Sequence, residues 1–210
     1  KIVASHAGIT VGPDGSSHHA IEDIALMRVI PNMTIIVPCD GPETKDAIIA
    51  AYRHPGPVYV RLGRPKVPTI EGKHAFKLGK ADIIEEGKDI TLIACGIMVR
   101  AALEASVILK KEGLSCRVID MHTIKPLDTS VIIQAADQTH GIVVCEEHMI
   151  IGGLASAVDD VVLENAPCRV ERIGIKNRFG QSGETEELLK EYNLTASDIV
   201  NQARKLLNKK

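Results

Sequence analysis

The span Ser5 to His19, S-H-A-G-I-T-V-G-P-D-G-S-S-H-H, gathers His6, His18, His19 and Asp14 around Gly8, Gly12 and Gly15. Histidine is the side chain poised to exchange a proton near neutral pH. Glycines let a backbone approach a ligand closely. The residues therefore fit a loop that binds and protonates a small polar substrate. The bland alternative is a surface turn, since Pro13-Asp14-Gly15 is an ordinary turn sequence and the histidine pair can be incidental. His6, His18 and Asp14 could converge on a metal, but their spacing is unlike the two-histidine helical ligand motif, and the metal reading is set aside. Neither a phosphate loop nor a dinucleotide fingerprint is present, because no Gly-Lys-Ser/Thr follows and the glycine spacing is wrong. A second group is Val60-Arg61-Leu62-Gly63-Arg64-Pro65, where two arginines could clamp a phosphate. Taken alone it reads slightly better as a solvated strand end. Glu146-Glu147-His148, followed by Ile150-Ile151-Gly152-Gly153-Leu154, opens a helix with a Gly-rich start. An interface or packing role is the first reading there, and catalysis the second.

These groups need strands to aim them. Strand-like runs at 1–5, 33–37 and 57–61 alternate with helical patterns at 20–29 and 43–52, a βαβαβ order that implies a parallel sheet. In the first helix Ile21, Ile24, Ala25 and Val29 should share one face, with Glu22 and Asp23 in the first turn. The Ser5–His19 loop then follows the C-terminal end of a strand, where open parallel sheets place ligands. Residues 65–78 contain Pro and Lys without periodicity and read as an interdomain linker. Alternation resumes with strands at 80–85, 90–95, 115–120, 141–145 and 169–173 and helices at 97–112, 128–138 and 151–164. Two helices close the chain, at 184–191 and 196–208, the second opened by a capping box of Thr195 and Asp198. The expected division is 1–66, a linker at 67–78, and 79–210.

Of 210 residues 45% are hydrophobic but only 2% aromatic, so the core must be built from Ile, Val, Leu and Ala, the filling of covered parallel sheets. A net charge of −2 gives no general attraction to nucleic acid or acidic membranes. No apolar run is long enough to span a bilayer, and no signal peptide opens the chain. The five cysteines are scattered, without C-x-x-C, and mostly in strand-like runs, which suits a reduced, cytoplasmic setting. The strand at Lys1–Ser5 opens with no cap, turn or Met, which suggests a truncated domain.

The run S-H-A-G-I-T-V-G-P-D-G-S-S-H-H-A-I-E-D-I-A-L-M-R-V-I-P-N-M-T-I-I-V-P resembles the pyrimidine-binding domain of transketolases, especially those encoded as two halves. V-R-L-G-R-P, V-C-E-E-H-M-I-I-G-G-L-A-S-A-V and F-G-Q-S-G-E-T-E-E-L-L-K-E-Y-N-L-T continue the resemblance, which covers essentially the whole chain. It implies an α/β fold, part of a parallel-sheet pyrimidine-binding domain followed by a transketolase C-terminal domain. It also implies transfer of a two-carbon ketol unit between sugar phosphates with thiamine diphosphate, a divalent metal (Mg) holding the diphosphate. By this resemblance His6 lines the substrate channel and contacts sugar phosphate, Asp14 reads a substrate hydroxyl, His18 bonds the ketol oxygen, and Arg64 binds phosphate. His6 and His18 are the expected catalytic residues. The cofactor stabilises the carbanion, so the protein orients groups and moves protons.

The family's cofactor-activating glutamate, the aromatic that stacks on the pyrimidine and the diphosphate- and metal-binding domain have no counterpart in the chain. It is therefore expected to bind no cofactor and to be inactive alone, working with an N-terminal half that carries the diphosphate domain, in a homodimer or heterotetramer. His19 stands where glutamine is common in relatives and is assigned no role. A 1-deoxy-D-xylulose-5-phosphate synthase fragment is the nearer alternative, disfavoured because that family's strand ends in Arg-Tyr-Pro-Arg-Gly. The beta subunit of a 2-oxoacid dehydrogenase first component fits less well, its loop differing around the histidine. A non-catalytic assembly or regulatory module is the remaining alternative, though such a module should begin near residue 73.

Overall fold

The structure, a computed structural model, describes residues 1–208. Its first part runs β1 (Ile2–Ala4), a 3-10 turn (Ile9–Asp14), α1 (Asp23–Arg28), β2 (Thr34–Ile36), α2 (Gly41–Arg53) and β3 (Val58–Arg61). After an extended stretch come β4 (Asp82–Glu85), β5 (Ile90–Ala94), α3 (Met98–Lys111), β6 (Cys116–Asp120), β7 (Thr123–Lys125) and α4 (Thr129–Gln138). The chain continues through β8 (Ile142–Met149), α5 (Leu154–Asn165), β9 (Val170–Ile175), α6 (Thr185–Glu191) and α7 (Ala196–Asn208). The α/β class expected from the alternation is what the molecule shows. Among the described residues no helix is long and apolar enough to cross a membrane.

One sheet has the order β1-β3-β2-β7 and the other β4-β6-β5-β8-β9, mostly parallel in both. β5 (Ile-Thr-Leu-Ile-Ala) is buried along its whole length, as a central parallel strand with both faces covered must be. Its alternation sends Leu92 and Ala94 into a core with Met98 of α3 and Ala203 of α7, and Ile93 into a second core with Ile132 of α4 and Val158 of α5. Both cores reach into the first part of the chain. Ile9 and Ile21 join the former, Ile24, Ile35 and Tyr59 the latter, so the two sheets are packed as one body.

Local signals explain the helix starts. Asp40 caps α2 by accepting the Glu43 N–H at 2.9 Å. Thr195 and Asp198 exchange bonds at the head of α7 as expected, the Thr195 N–H donating to Asp198 Oδ2 at 3.0 Å.

Two expectations need correction, the extent of α1 and the end of β8, and two further features stand beside them. α1 starts only at Asp23. Ile21 is buried ahead of it, and Val29, past its end, is 79% exposed, so the proposed shared face breaks there. The stretch 65–78 has no helix or strand, in keeping with its lack of periodicity, and is held where the Ile70 N–H donates to Asp40 Oδ2 at 2.9 Å and Lys73 reaches the same carboxylate. β7 was not anticipated, and it pairs antiparallel with β2, closing the first sheet with a strand from far along the chain. Finally, the strand expected to stop at Cys145 runs on to Met149, so Glu146, Glu147 and His148 lie within it.

Candidate functional site

β1 and β3 are parallel neighbours in register, Ala4 opposite Arg61, so both release their chains at the same sheet edge. The ladder continues past them, the Leu62 N–H donating to Ala4 O at 2.8 Å and the Ala7 N–H to Leu62 O at 3.1 Å. The loop 5–19 and the segment 62–65 therefore meet at the C-terminal edge, where ligand sites of parallel sheets lie. The loop closes on itself through the Gly8 N–H to Ala20 O bond at 2.8 Å.

Within it Asp14 ends the 3-10 turn, and its Oδ2 lies 3.5 Å from Arg64 Nη1. That guanidinium also donates to Val11 O at 2.5 Å. Both side chains are close to half exposed, leaving donor and acceptor capacity for a ligand. His6 adopts a left-handed φ of 65° and its Nδ1 is 2.9 Å from Ser5 Oγ. His18 Nδ1 is 3.0 Å from Ser17 Oγ. Both rings are exposed. The structure thus brings Asp14 and Arg64 together and places His6 and His18 on the same loop, without bonding either to that pair among the described residues.

Arg61 is not the second phosphate-clamp arginine that the residues allowed. It is buried, its Nε donating to Asp23 Oδ2 at 2.8 Å and its Nη2 to Ala20 O at 3.1 Å and Glu147 O at 3.0 Å. Asp23 also accepts from Tyr59 Oη at 2.7 Å. Burial alone would raise the Asp23 pKa, but the Arg61 charge and the hydrogen bonds from Arg61 and Tyr59 together outweigh it and hold the carboxyl below its usual value. Arg64 remains as the exposed cation of the pair.

Two groups lie beneath the loop, one given no role by the sequence and the other read first as interface or packing. His19 is buried, its Nε2 3.2 Å from Gly12 O, and Gly180 packs so closely on the ring that a Cβ there would fall 2.1 Å from Nδ1. A histidine beside a Gly-rich segment far along the chain carries no local signal of such contact. In β8, Glu146 accepts the Leu154 and Ala155 N–H groups at the start of α5, at 2.7 and 2.9 Å, and burial pushes its pKa up to about 7. Glu147 accepts the Thr10 N–H at 2.7 Å. His148 Nδ1 bonds Met149 O at 2.7 Å, and burial, aided by the Arg61 charge, lowers its pKa. The packing role given first to this cluster is what these contacts describe.

Among the described residues one group has metal-ligand atoms in mutual reach, Cys39, Glu43 and Asp120. All three are buried, and the Lys73 ammonium already sits against them, 3.1 Å from Cys39 Sγ and 3.4 Å from Glu43 Oε1. An internal cation in that position does not fit an exchangeable Mg site that grips a diphosphate.

Residues 1–69 match the model of the transketolase pyrimidine binding domain, and residues 79–199 that of the transketolase C-terminal domain. The chain is 38% identical to the 6-deoxy-6-sulfo-D-fructose transketolase subunit SqwH of Clostridium sp., over 100% of its own length and 66% of that protein. It is 37% identical to an apulose-4-phosphate transketolase subunit of Phocaeicola vulgatus, covering 100% of this chain and 67% of the other. A solved split gene transketolase, described as an inactive beta4 tetramer, superposes with a TM-score of 0.90 at 43% identity, over 98% of this chain and 66% of that one. The chain thus spans about two thirds of the length of these relatives.

Proposed function

The chain belongs to the transketolase family, and from that premise we propose that it supplies the substrate side of a two-component enzyme transferring a two-carbon ketol unit between sugar phosphates. The observation that carries this reading is the Asp14–Arg64 pair on the edge shared by β1 and β3, with His6 and His18 exposed on the same loop. Arg64 binds the phosphate of the sugar, a task suited to a planar guanidinium with free donors. Asp14 accepts a hydrogen bond from a substrate hydroxyl and fixes the sugar's orientation. His6 contacts the sugar phosphate along the channel, and His18 holds or moves a proton at the ketol oxygen, a task suited to an imidazole, whose ring nitrogens can donate and accept hydrogen bonds.

Family membership implies that the complete enzyme depends on thiamine diphosphate, which when bound supplies the electron sink for the carbon–carbon cleavage. The residues present fit a substrate loop and not the diphosphate and metal grip, which belongs to the N-terminal partner half in this proposal. This chain alone is then inactive, and the active enzyme is an oligomer of both halves. In the same reading 1–66 and 79–210 act as two domains joined by 67–78.

The test is to combine the protein with its N-terminal half, thiamine diphosphate and Mg, and to follow ketol transfer from a ketose phosphate to an aldose phosphate. Turnover that needs both components supports the proposal. Turnover by this chain alone, or none by the pair, overturns it.

A further inference from the structure

Thr10 lies in the first turn of the 3-10 segment that ends at Asp14, and both polar groups of its backbone are taken by residues from the other end of the molecule. Its N–H donates to Glu147 Oε1 of β8 at 2.7 Å, and its carbonyl accepts from Thr185 Oγ1 of α6 at 3.3 Å. The carboxyl of Glu147 occupies the space left by the missing side chain of Gly8, where a Cβ would fall 2.2 Å from its Cδ. Gly8 has φ +85°, so the loop is shaped around that carboxylate. The Glu147 carbonyl in turn accepts from Arg61, which also bonds Ala20 at the far end of the loop.

A buried carboxylate costs stability unless it is well bonded, so a group that only fills space here would be better apolar. What this one reaches, beside the Arg61 charge, is Thr10, from whose backbone N–H it accepts, one residue before Val11 and four before Asp14. Those are the two residues that Arg64 touches, at Val11 O and Asp14 Oδ2.

We propose that Glu147 is a positioning residue: its carboxylate pins Thr10 and thereby sets the distance between Asp14 and Arg64. Its consequence for substrate rests on the ketol-transfer reading, while the anchoring itself does not. The C-terminal part of the fold then has a task in the reaction, holding the loop of the first sheet in register from 137 positions away in sequence.

The experiment uses the two-half enzyme with Glu147→Ala and Glu147→Gln, together with amide hydrogen exchange of this chain by NMR. Losing a charge-assisted bond to one amide should speed exchange at Thr10 about tenfold or more, leaving β5 and α3 protected as before. KM for a phosphorylated ketose should rise about fivefold or more with kcat changed less than about twofold, and Glu147→Gln, which keeps one acceptor oxygen, should fall between. In an Arg64→Ala background the Glu147→Ala effect on KM should largely disappear, because it acts through that pair. Unchanged Thr10 exchange in the folded variants would refute the anchor. Faster Thr10 exchange with unchanged KM in an active enzyme would refute positioning. An inactive unsubstituted pair would sink the ketol-transfer reading instead, with exchange still deciding the anchor. Should Glu147→Ala fail to fold, the same readings on Glu147→Gln decide.

Discussion

Arg61 and Asp23 form an ion pair at 2.8 Å that ties the end of β3 to the start of α1 beneath the loop 5–19. Both partners are largely withdrawn from water, and the guanidinium's remaining donors are taken by Ala20 O and Glu147 O. A buried pair adds little over apolar packing when intact but costs heavily when one side is removed. Arg61→Met and Asp23→Asn should therefore each lower stability by about 3–5 kcal/mol, since either leaves the other charge buried without its partner. Urea unfolding at neutral pH measures both. A cost for Asp23→Asn far below that of Arg61→Met would mean that Asp23 is not the partner that matters.

The same pair sets an acid limb. Asp23 titrates lower when folded than its ordinary 3.8 when unfolded. Its contribution is thus complete above that value and is lost as pH falls through the folded pKa. In Asp23→Asn the fall in stability below about pH 4 should be shallower than in the unsubstituted protein. Thermal unfolding between neutral pH and pH 3 checks it, and parallel curves would contradict the assignment.

Arg64 and Asp14 yield a substrate-level prediction. Arg64→Ala in the complete enzyme should raise KM about tenfold or more for phosphorylated sugars and much less for an unphosphorylated acceptor, since a charge-assisted contact to phosphate is lost. Asp14→Asn should affect both acceptors similarly, its partner being a hydroxyl. Steady-state kinetics with the two acceptor types decides. An equal Arg64→Ala effect on both removes Arg64 from the phosphate site.

His18→Ala should depress kcat about a hundredfold, the usual loss with a general acid–base group, while leaving thiamine diphosphate affinity within about twofold. Isothermal titration of the complete enzyme with the cofactor, set beside turnover, separates the two. Parallel loss of both would assign His18 to cofactor binding.

The sequence disclosed what is local. The Gly- and His-rich run after a strand marks the loop, and alternating apolar runs mark β5 and α3, because those patterns are set by neighbours in the chain. β7 was hidden since a three-residue strand has no periodicity, and its pairing of Ile35 with Lys125 depends on a partner the local pattern cannot name. Glu146-Glu147-His148 reads as a loop because polar residues break the apolar run. They remain in a buried strand only because the α5 amides, the Thr10 amide and Met149 O satisfy them. Arg61 looked like a clamp for the converse reason. Its internal partner, Asp23, is brought to it by the fold.

Lys73 is the last such case, a lysine in an unstructured stretch that proves to be an internal counter-charge. Its ammonium meets Asp40 Oδ1 at 3.0 Å and Glu43 Oε1 at 3.4 Å, beside Asp120, whose carboxyl burial drives well above its usual pKa. Burial would lower the pKa of Lys73, yet its hydrogen bond to Cys39, the Glu43 charge and the Asp40 bond together outweigh it and keep the ammonium charged. Lys73→Met would leave Asp40 and Glu43 as buried like charges without a counter-ion, at a cost of about 3–5 kcal/mol near neutral pH. The Lys73 charge also works against burial at Asp120, so without it that already raised carboxyl would rise further and the folded variant would bind a proton more readily than its unfolded chain. The deficit against the unsubstituted protein should accordingly shrink as pH falls from 8 to 5, and urea midpoints at the two pH values measure it. A deficit that stays constant would mean that Lys73 acts through packing of its aliphatic stem and not through charge.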